Sequence, residues 1–416
     1  MFKKFLLSII IFCSIISAVN ASDNSKARIG NNYYDSLLDA IEHAGSNDTI
    51  YLTSNVSLED TLTINKTINI NLNGRTISAK EKVFLVSGGT LNLTGNGTIK
   101  ETKPNYGAIM VEGSSNPNDN NYSVVTVGKD ITLEGWSGIF ITHNNKKSYG
   151  VKVNLDGNIN AVDDINGDNG AGIYTNGNIQ DKTNSPIINI SDTASITSTG
   201  NGLYIAGYSK VNIGASYISG IEAAIGIKSG ILNIDGATLV CTGEDKTPTE
   251  GYNNGIKPSG TTIQIESNSG YAGNIELNIK SGNLTSKHSN VIYEYIGKGT
   301  TTQVKQLNIT GGTFTSEAQK EIFSLSQSLK NNHPNFISGG KYSYNPSIYL
   351  NSGYTTTKDN NLYTVIKSTM KEISFANKTN QTNTKTILIT IIFSIILIPI
   401  IYLNRNKILN IIKNNL

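Results

Sequence analysis

Asp163, Asp164 and Asp168 stand within six residues of one another on a stretch rich in Asp, Asn and Gly. Two carboxylates on either side of a glycosidic bond would support its hydrolysis, and several converging oxygens would hold calcium. The spacing gives little for either. The run Asp164-Ile165-Asn166-Gly167-Asp168-Asn169 has no Gly at its sixth place, and no Glu follows at the twelfth, as a helix-loop-helix calcium site would need. The same composition builds an ordinary solvated turn. The four histidines, His43, His143, His288 and His333, lie far apart, with no metal-type or nucleophile-type spacing. No residue takes a catalytic role or a firm metal role on these grounds. Calcium stays open at Asp163, Asp164 and Asp168, and the expectation is of no cofactor.

A second constellation suits binding rather than catalysis. Gly138-Ile139-Phe140, Gly172-Ile173-Tyr174 and Gly202-Leu203-Tyr204 recur at intervals of 34 and 30 residues. Gly226-Ile227-Lys228 and Gly255-Ile256-Lys257 continue the series, and Val291-Ile292-Tyr293 extends it. If each aliphatic points inward on a strand, the residue after it points outward. Phe140, Tyr174 and Tyr204 then form an exposed aromatic stripe, followed by Lys228 and Lys257. Aromatics offer a sugar or a protein a large contact area with little entropy loss. The competing reading is plain coil-to-coil stacking that stabilises a sheet.

The elements that would carry this stripe follow from a recurring phrase, an Asn flanked by aliphatics with another aliphatic about five residues on. It is read at Ile70-Asn71-Leu72, Leu91-Asn92-Leu93, Val153-Asn154-Leu155, Ile188-Asn189-Ile190, Val211-Asn212-Ile213, Leu232-Asn233-Ile234, Leu277-Asn278-Ile279 and Leu307-Asn308-Ile309. Several copies lie 21 to 23 residues apart, a period that marks a solenoid. In a strand the two aliphatics face one way and the Asn the other. Each unit is too small to bury its own apolar face and must stack on its neighbours. Helical periodicity is nearly absent from the middle of the chain. Asn-Gly or Asp-Gly hairpins do not link alternating runs in pairs, which argues against an antiparallel sandwich. The outward Asn column reads as a soluble outer face, with ligand contact as the alternative.

The termini read as targeting segments. Lys3-Lys4, the apolar run Phe5 to Ile16, and Val19-Asn20-Ala21 have the three parts of a secretory signal. Ile387 to Leu403 is seventeen residues without a charge, at the lower limit for crossing a bilayer. Arg405, Lys407 and Lys413 follow with no acidic residue, which orients the tail to the cytoplasm. Without Lys3, Lys4 and these three, 29 basic residues face 31 acidic ones. The positive net charge therefore belongs to the targeting segments and gives no case for nucleic-acid binding. Of the two cysteines, Cys13 lies in the signal, so Cys241 has no intramolecular disulfide partner.

Both ends of the region between resemble one family. Tyr33-Tyr34-Asp35-Ser36-Leu37, Ala40-Ile41, Ala44, Asp48-Thr49-Ile50-Tyr51-Leu52 and Leu72-Asn73-Gly74-Arg75-Thr76-Ile77 are similar to the opening of adhesin-like cell-surface proteins of the pectin-lyase-like, right-handed β-helix superfamily. Asn71 stands where that family usually has Asp. Gly339-Gly340-Lys341-Tyr342-Ser343, Pro346, Tyr349, Gly353-Tyr354, Tyr363 and Val365 resemble its closing segment. The resemblance implies fold and location more than a reaction. Its lyases use an Arg or Lys base with acidic calcium ligands, but Arg28, Arg75 and Arg405 are the only arginines, and Arg75 belongs to the entry motif.

The expectation is an all-β, right-handed parallel β-helix with a short capping helix within Tyr34 to Ala44 and a C-terminal transmembrane helix. Its parts are a signal (1–21), an N-terminal cap with the first coils (22–83), the β-helix body (84–315), an irregular C-terminal cap (316–366), a polar linker (367–386), the membrane span (387–403) and a basic tail (404–416). Loops are expected near 102–121, 143–149, 162–170, 178–185 and 243–253. The functional expectation is a membrane-anchored cell-surface protein that binds an extracellular glycan or a host or matrix protein. A polysaccharide-degrading enzyme and a passive structural stalk are the alternatives.

Overall fold

The computed structural model describes residues 24–176, 183–246, 260–299 and 301–368. The chain divides into two units, Met1–Ser352 with Thr356–Val365, and Gly353–Thr355 with Ile366–Leu416. The features below belong to the first.

Alternating burial sets the architecture. In Val151–Leu155 the residues Val153 and Leu155 are fully buried while Lys152 and Asn154 look outward. A five-residue strand with one such face is unstable alone and is completed by the strands above and below it. Most strands pair in parallel, and a typical coil supplies three, as in Thr90–Thr94, Gly97–Glu101 and Ile109–Glu112. The third strands of successive coils form one 10-stranded sheet. First and second strands belong to a 23-stranded sheet, joined because two coils run both strands together as Gly230–Cys241 and Ile275–Ser286. Inward side chains stack in register from coil to coil, as in Leu155, Ile190, Ile213, Ile234 and Ile279, each no more than 3 % exposed. The fold is a parallel β-solenoid.

Parallel stacking begins earlier and ends later than 84–315. Thr49 already pairs in parallel with Asn69, and Tyr293 pairs with Ser324. The expected loop at 102–121 contains a strand, Ile109–Glu112, because Ile109 and Val111 complete the buried face between Phe84–Ser87 and Ile139–Thr142. The first Asn phrase is shifted by two. Asn69, not Asn71, lies opposite Asn92. Asn71 faces a turn instead, where its Oδ1 accepts from Asn73 N at 2.9 Å, and Asn73 and Gly74 take positive φ (48° and 77°). Residues two apart share a face, so alternation cannot distinguish the two registers.

Both ends of the solenoid unit are covered. The helix Leu37–His43 is capped by Ser36, whose Oγ accepts from Asp39 N at 3.0 Å, and it buries Leu37, Ala40 and Ile41. Ala27–Ile29 pairs antiparallel with Thr49–Leu52 and occupies an otherwise open edge. At the other end a short helix, Gln327–Asn332, stands in the segment expected to be irregular. Beside it Tyr342 stacks on Phe314 at 4.8 Å and 6°, and Phe323, Phe336 and Tyr349 pack against one another at 5.1 to 5.4 Å. Tyr342, in the Gly339-Gly340-Lys341-Tyr342-Ser343 motif, is fully buried. Among the described residues no helix is long and apolar enough to cross a membrane. The expected signal and the span Ile387 to Leu403 lie outside the described residues.

Candidate ligand-binding face

The third-strand sheet presents one outward column whose central members are Met110, Phe140, Tyr174, Tyr204, Gly226, Gln264 and Tyr293. Parallel register without a slip puts one of these on each coil. The rings of Phe140 and Tyr174 stack at 4.8 Å and 5°, and those of Tyr174 and Tyr204 at 4.7 Å and 11°. These spacings match the distance between neighbouring strands. The three side chains point out of the solenoid and are half-buried by one another. Trp136, four residues before Phe140, leans on the stack, 6.4 Å from Phe140 and 5.4 Å from Tyr174. Glu101 holds the Trp136 turn in place: its carboxylate accepts from Trp136 N at 3.1 Å and from Asn105 and Tyr106 N at 2.9 and 3.0 Å. Burial raises the Glu101 pKa, against the pull of those backbone donors. Trp136, the one Trp of the chain, stands outside the Gly-aliphatic-aromatic triplets, so the repeat pattern does not mark it.

Stacking has a consequence for chemistry. Tyr174 has both ring faces covered, by Phe140 and Tyr204. What the stripe offers outward is therefore ring edges. Ring edges carry the positive part of the quadrupole and attract oxygen atoms. Burial, with a smaller effect of Tyr271, pushes the Tyr174 phenol up to about 12. Burial also raises Tyr204, reinforced by Tyr174, Tyr271 and Glu266. Both phenols stay protonated at neutral pH, and that of Tyr204 is hydrogen-bonded with Tyr271.

Lys228 does not extend the stripe as expected. Gly226 follows Tyr204 in register, and Gln264 follows Gly226. Lys228 is two residues further on, just past the end of the strand Ala223–Ile227, and only 3 % exposed. Its Nζ pairs with Glu266 at 2.7 Å, donates to the Tyr271 hydroxyl at 3.0 Å, and lies 5.0 Å from the Tyr204 ring centre. Since Tyr174 covers one face of Tyr204, the ammonium takes the other. A buried ammonium needs a counter-charge, and Glu266, 38 positions later in the chain, provides it. Lys257 lies outside the described residues. Tyr293 does occupy the column, as expected.

The first-strand face is built differently. Its outward column is an amide ladder. Nδ2 of Asn92, Asn189, Asn212, Asn233 and Asn278 donates to Oδ1 of Asn69, Asn154, Asn189, Asn212 and Asn233 respectively, at 2.8 to 3.0 Å. Thr126 interrupts the series and accepts from Asn154 at 3.5 Å. An open groove of about 490 Å³ runs beside the ladder, lined by Asp156, Asp235 and Lys280 among others. Each interior amide spends a donor and an acceptor on its neighbours.

Asp163, Asp164 and Asp168 form a turn. Asp164 Oδ1 accepts from Asn166 N at 2.7 Å and Asp168 N at 2.8 Å. Desolvation would raise the Asp164 pKa, but these donors together outweigh it and the carboxyl sits below its ordinary value. Asp163 and Asp168 face solvent. Among the described residues no group of three or more His, Cys, Asp or Glu is arranged to hold a metal ion. The chain matches no protein-family model, no curated protein and no solved structure.

Proposed function

We propose that this chain is a cell-surface β-helix protein of the right-handed, pectin-lyase-like class that binds an extracellular glycan or a host or matrix protein through its third-strand face. The observation that carries this reading is the contrast between the two outward columns. The asparagine amides hydrogen-bond one another, whereas Phe140, Tyr174 and Tyr204 keep their ring edges turned outward beside Trp136. Aromatic side chains set on rigid strands are effective contact anchors. The apolar segments at the two ends support secretion and tethering, with Arg405, Lys407 and Lys413 on the cytoplasmic side.

The test is a screen of glycans and matrix proteins against the parent chain and the variant Phe140→Ser/Tyr174→Ser/Tyr204→Ser, with a product assay alongside. The expected result is binding by the parent, at least tenfold weaker in the variant, and no release of reducing or unsaturated ends. Equal binding by the two would make the stripe packing alone. Turnover lost on changing Asp163, Asp164 and Asp168 together would move the protein to the polysaccharide-degrading enzymes. Protease treatment of intact cells should remove 22–386 and leave the tail with the membrane; a protected solenoid would overturn the surface location.

A further inference from the structure

The outward column breaks at Gly226. Tyr204 lies above it and Gln264 below it in register, so this coil sets no side chain at the column position itself, and its Lys228 ammonium covers the Tyr204 face alongside. The result is a notch of about 10 Å³ lined by Asn201, Tyr204, Gly226, Lys228, Gln264 and Glu266, room for about one water or one ligand oxygen. Gly226 does not need to be glycine for its backbone, since its φ is not positive. A Cβ there would stand 3.0 Å from Asn201 Oδ1. What glycine provides at this position is space.

The notch holds one side-chain donor that no protein group satisfies. Gln264 is only 3 % exposed, and its Nε2 is buried without an acceptor. A buried donor left without a partner is costly, so its presence calls for an acceptor from outside. Lys228 adds a cation, but Glu266 at 2.7 Å neutralises it. The notch is therefore close to neutral, with the Gln264 amide as its unsatisfied donor and the Glu266 carboxylate and Asn201 Oδ1 as acceptors on the same lining. A second buried anion would face an already paired ammonium and have no compensating charge.

We propose that the Gly226 notch seats one neutral acceptor oxygen of a sugar, a hydroxyl or an acetamido carbonyl, which receives a hydrogen bond from Gln264 Nε2 while the rest of the sugar lies along the edges of Tyr204 and Tyr174. This rests on the binding reading of the third-strand face and narrows it to neutral glycans. Uronate or sialate polymers are disfavoured at this position.

The experiment measures binding of full-length protein to neutral hexamers of glucose and of N-acetylglucosamine, and to galacturonate and hyaluronan oligomers, by calorimetry. The parent, Gln264→Leu, Gly226→Ala and the triple serine variant are compared. Leu matches the volume of Gln without its orphan donor, so Gln264→Leu should melt at or above the parent temperature. The expected result is a preference for a neutral oligomer, weakened tenfold or more by Gln264→Leu and by Gly226→Ala in proteins that melt normally. Neutral-sugar binding that both notch variants retain, but the triple variant loses, would overturn the notch and leave the binding face standing; the notch would then hold an ordered water only. Preference for the anionic oligomers would overturn the neutral-oxygen assignment. No binding of any oligomer by the parent would overturn the glycan reading and the notch with it.

Discussion

Two aromatic stacks in this molecule share one geometry and differ in their surroundings. Phe140 and Tyr174 lie 4.8 Å apart at 5°, and Phe314 and Tyr342 lie 4.8 Å apart at 6°. Both spacings come from coil-to-coil register. The second pair points inward at the end of the solenoid, fully buried, with the Tyr342 hydroxyl donating to Gly339 O at 2.8 Å. The first points outward, with its edges half-exposed. A stack of rings is thus a product of the repeat, and it acquires a role only from the face it stands on: inside it plugs the core, outside it makes a surface.

The comparison can be broken most directly at the inner stack. Phe314→Ala removes a fully buried ring and should cost about 3–5 kcal/mol, seen as a large fall in the denaturation midpoint. A loss below about 1 kcal/mol would mean that the cap is not packed as described. The outer triple serine variant loses about 1–3 kcal/mol from two stacked ring pairs, in addition to the apolar area its half-buried rings cover, while the far-ultraviolet circular dichroism stays native. Misfolding of that variant would make the outer stack as structural as the inner one. Asn212→Ala tests the other outward column. It removes the bonds to Asn189 and Asn233 at 2.9 and 3.0 Å, should cost about 1 kcal/mol, and should leave ligand binding unchanged. A binding defect would move the candidate site to the asparagine face.

The smallest effect is a titration. Tyr174 ionises at about 12 in the fold, against about 10 for an unperturbed phenol. The folded value is raised, so the stabilisation it brings is complete below pH 10 and is lost as the pH rises through about 12. Absorbance at 295 nm, parent minus Tyr174→Phe, should show one phenol with a midpoint near 12. A midpoint near 10 would mean that Tyr174 is not stacked between its neighbours.

The sequence by itself determined the solenoid. Aliphatic alternation with turn residues at a recurring interval leaves parallel stacking as the way to bury every apolar face, and Ser36 and the Leu37, Ala40, Ile41 stripe mark the capping helix. It also marked Phe140, Tyr174 and Tyr204 as a repeating position that faces outward if the aliphatic before each faces inward, and the strand register places them on successive coils. Tertiary structure alone decided the register beyond them. A two-residue slip keeps every side chain on the same face, so alternation could not choose between Asn69 and Asn71, or between Gly226 and Lys228, as the next member of a column. The fate of Lys228 depended on Glu266 and Tyr271, and that of Gln264 on a glycine 38 positions earlier; such pairings form only when the coils close, because coil-to-coil distance in space is fixed at one strand spacing while distance along the chain varies with every inserted loop.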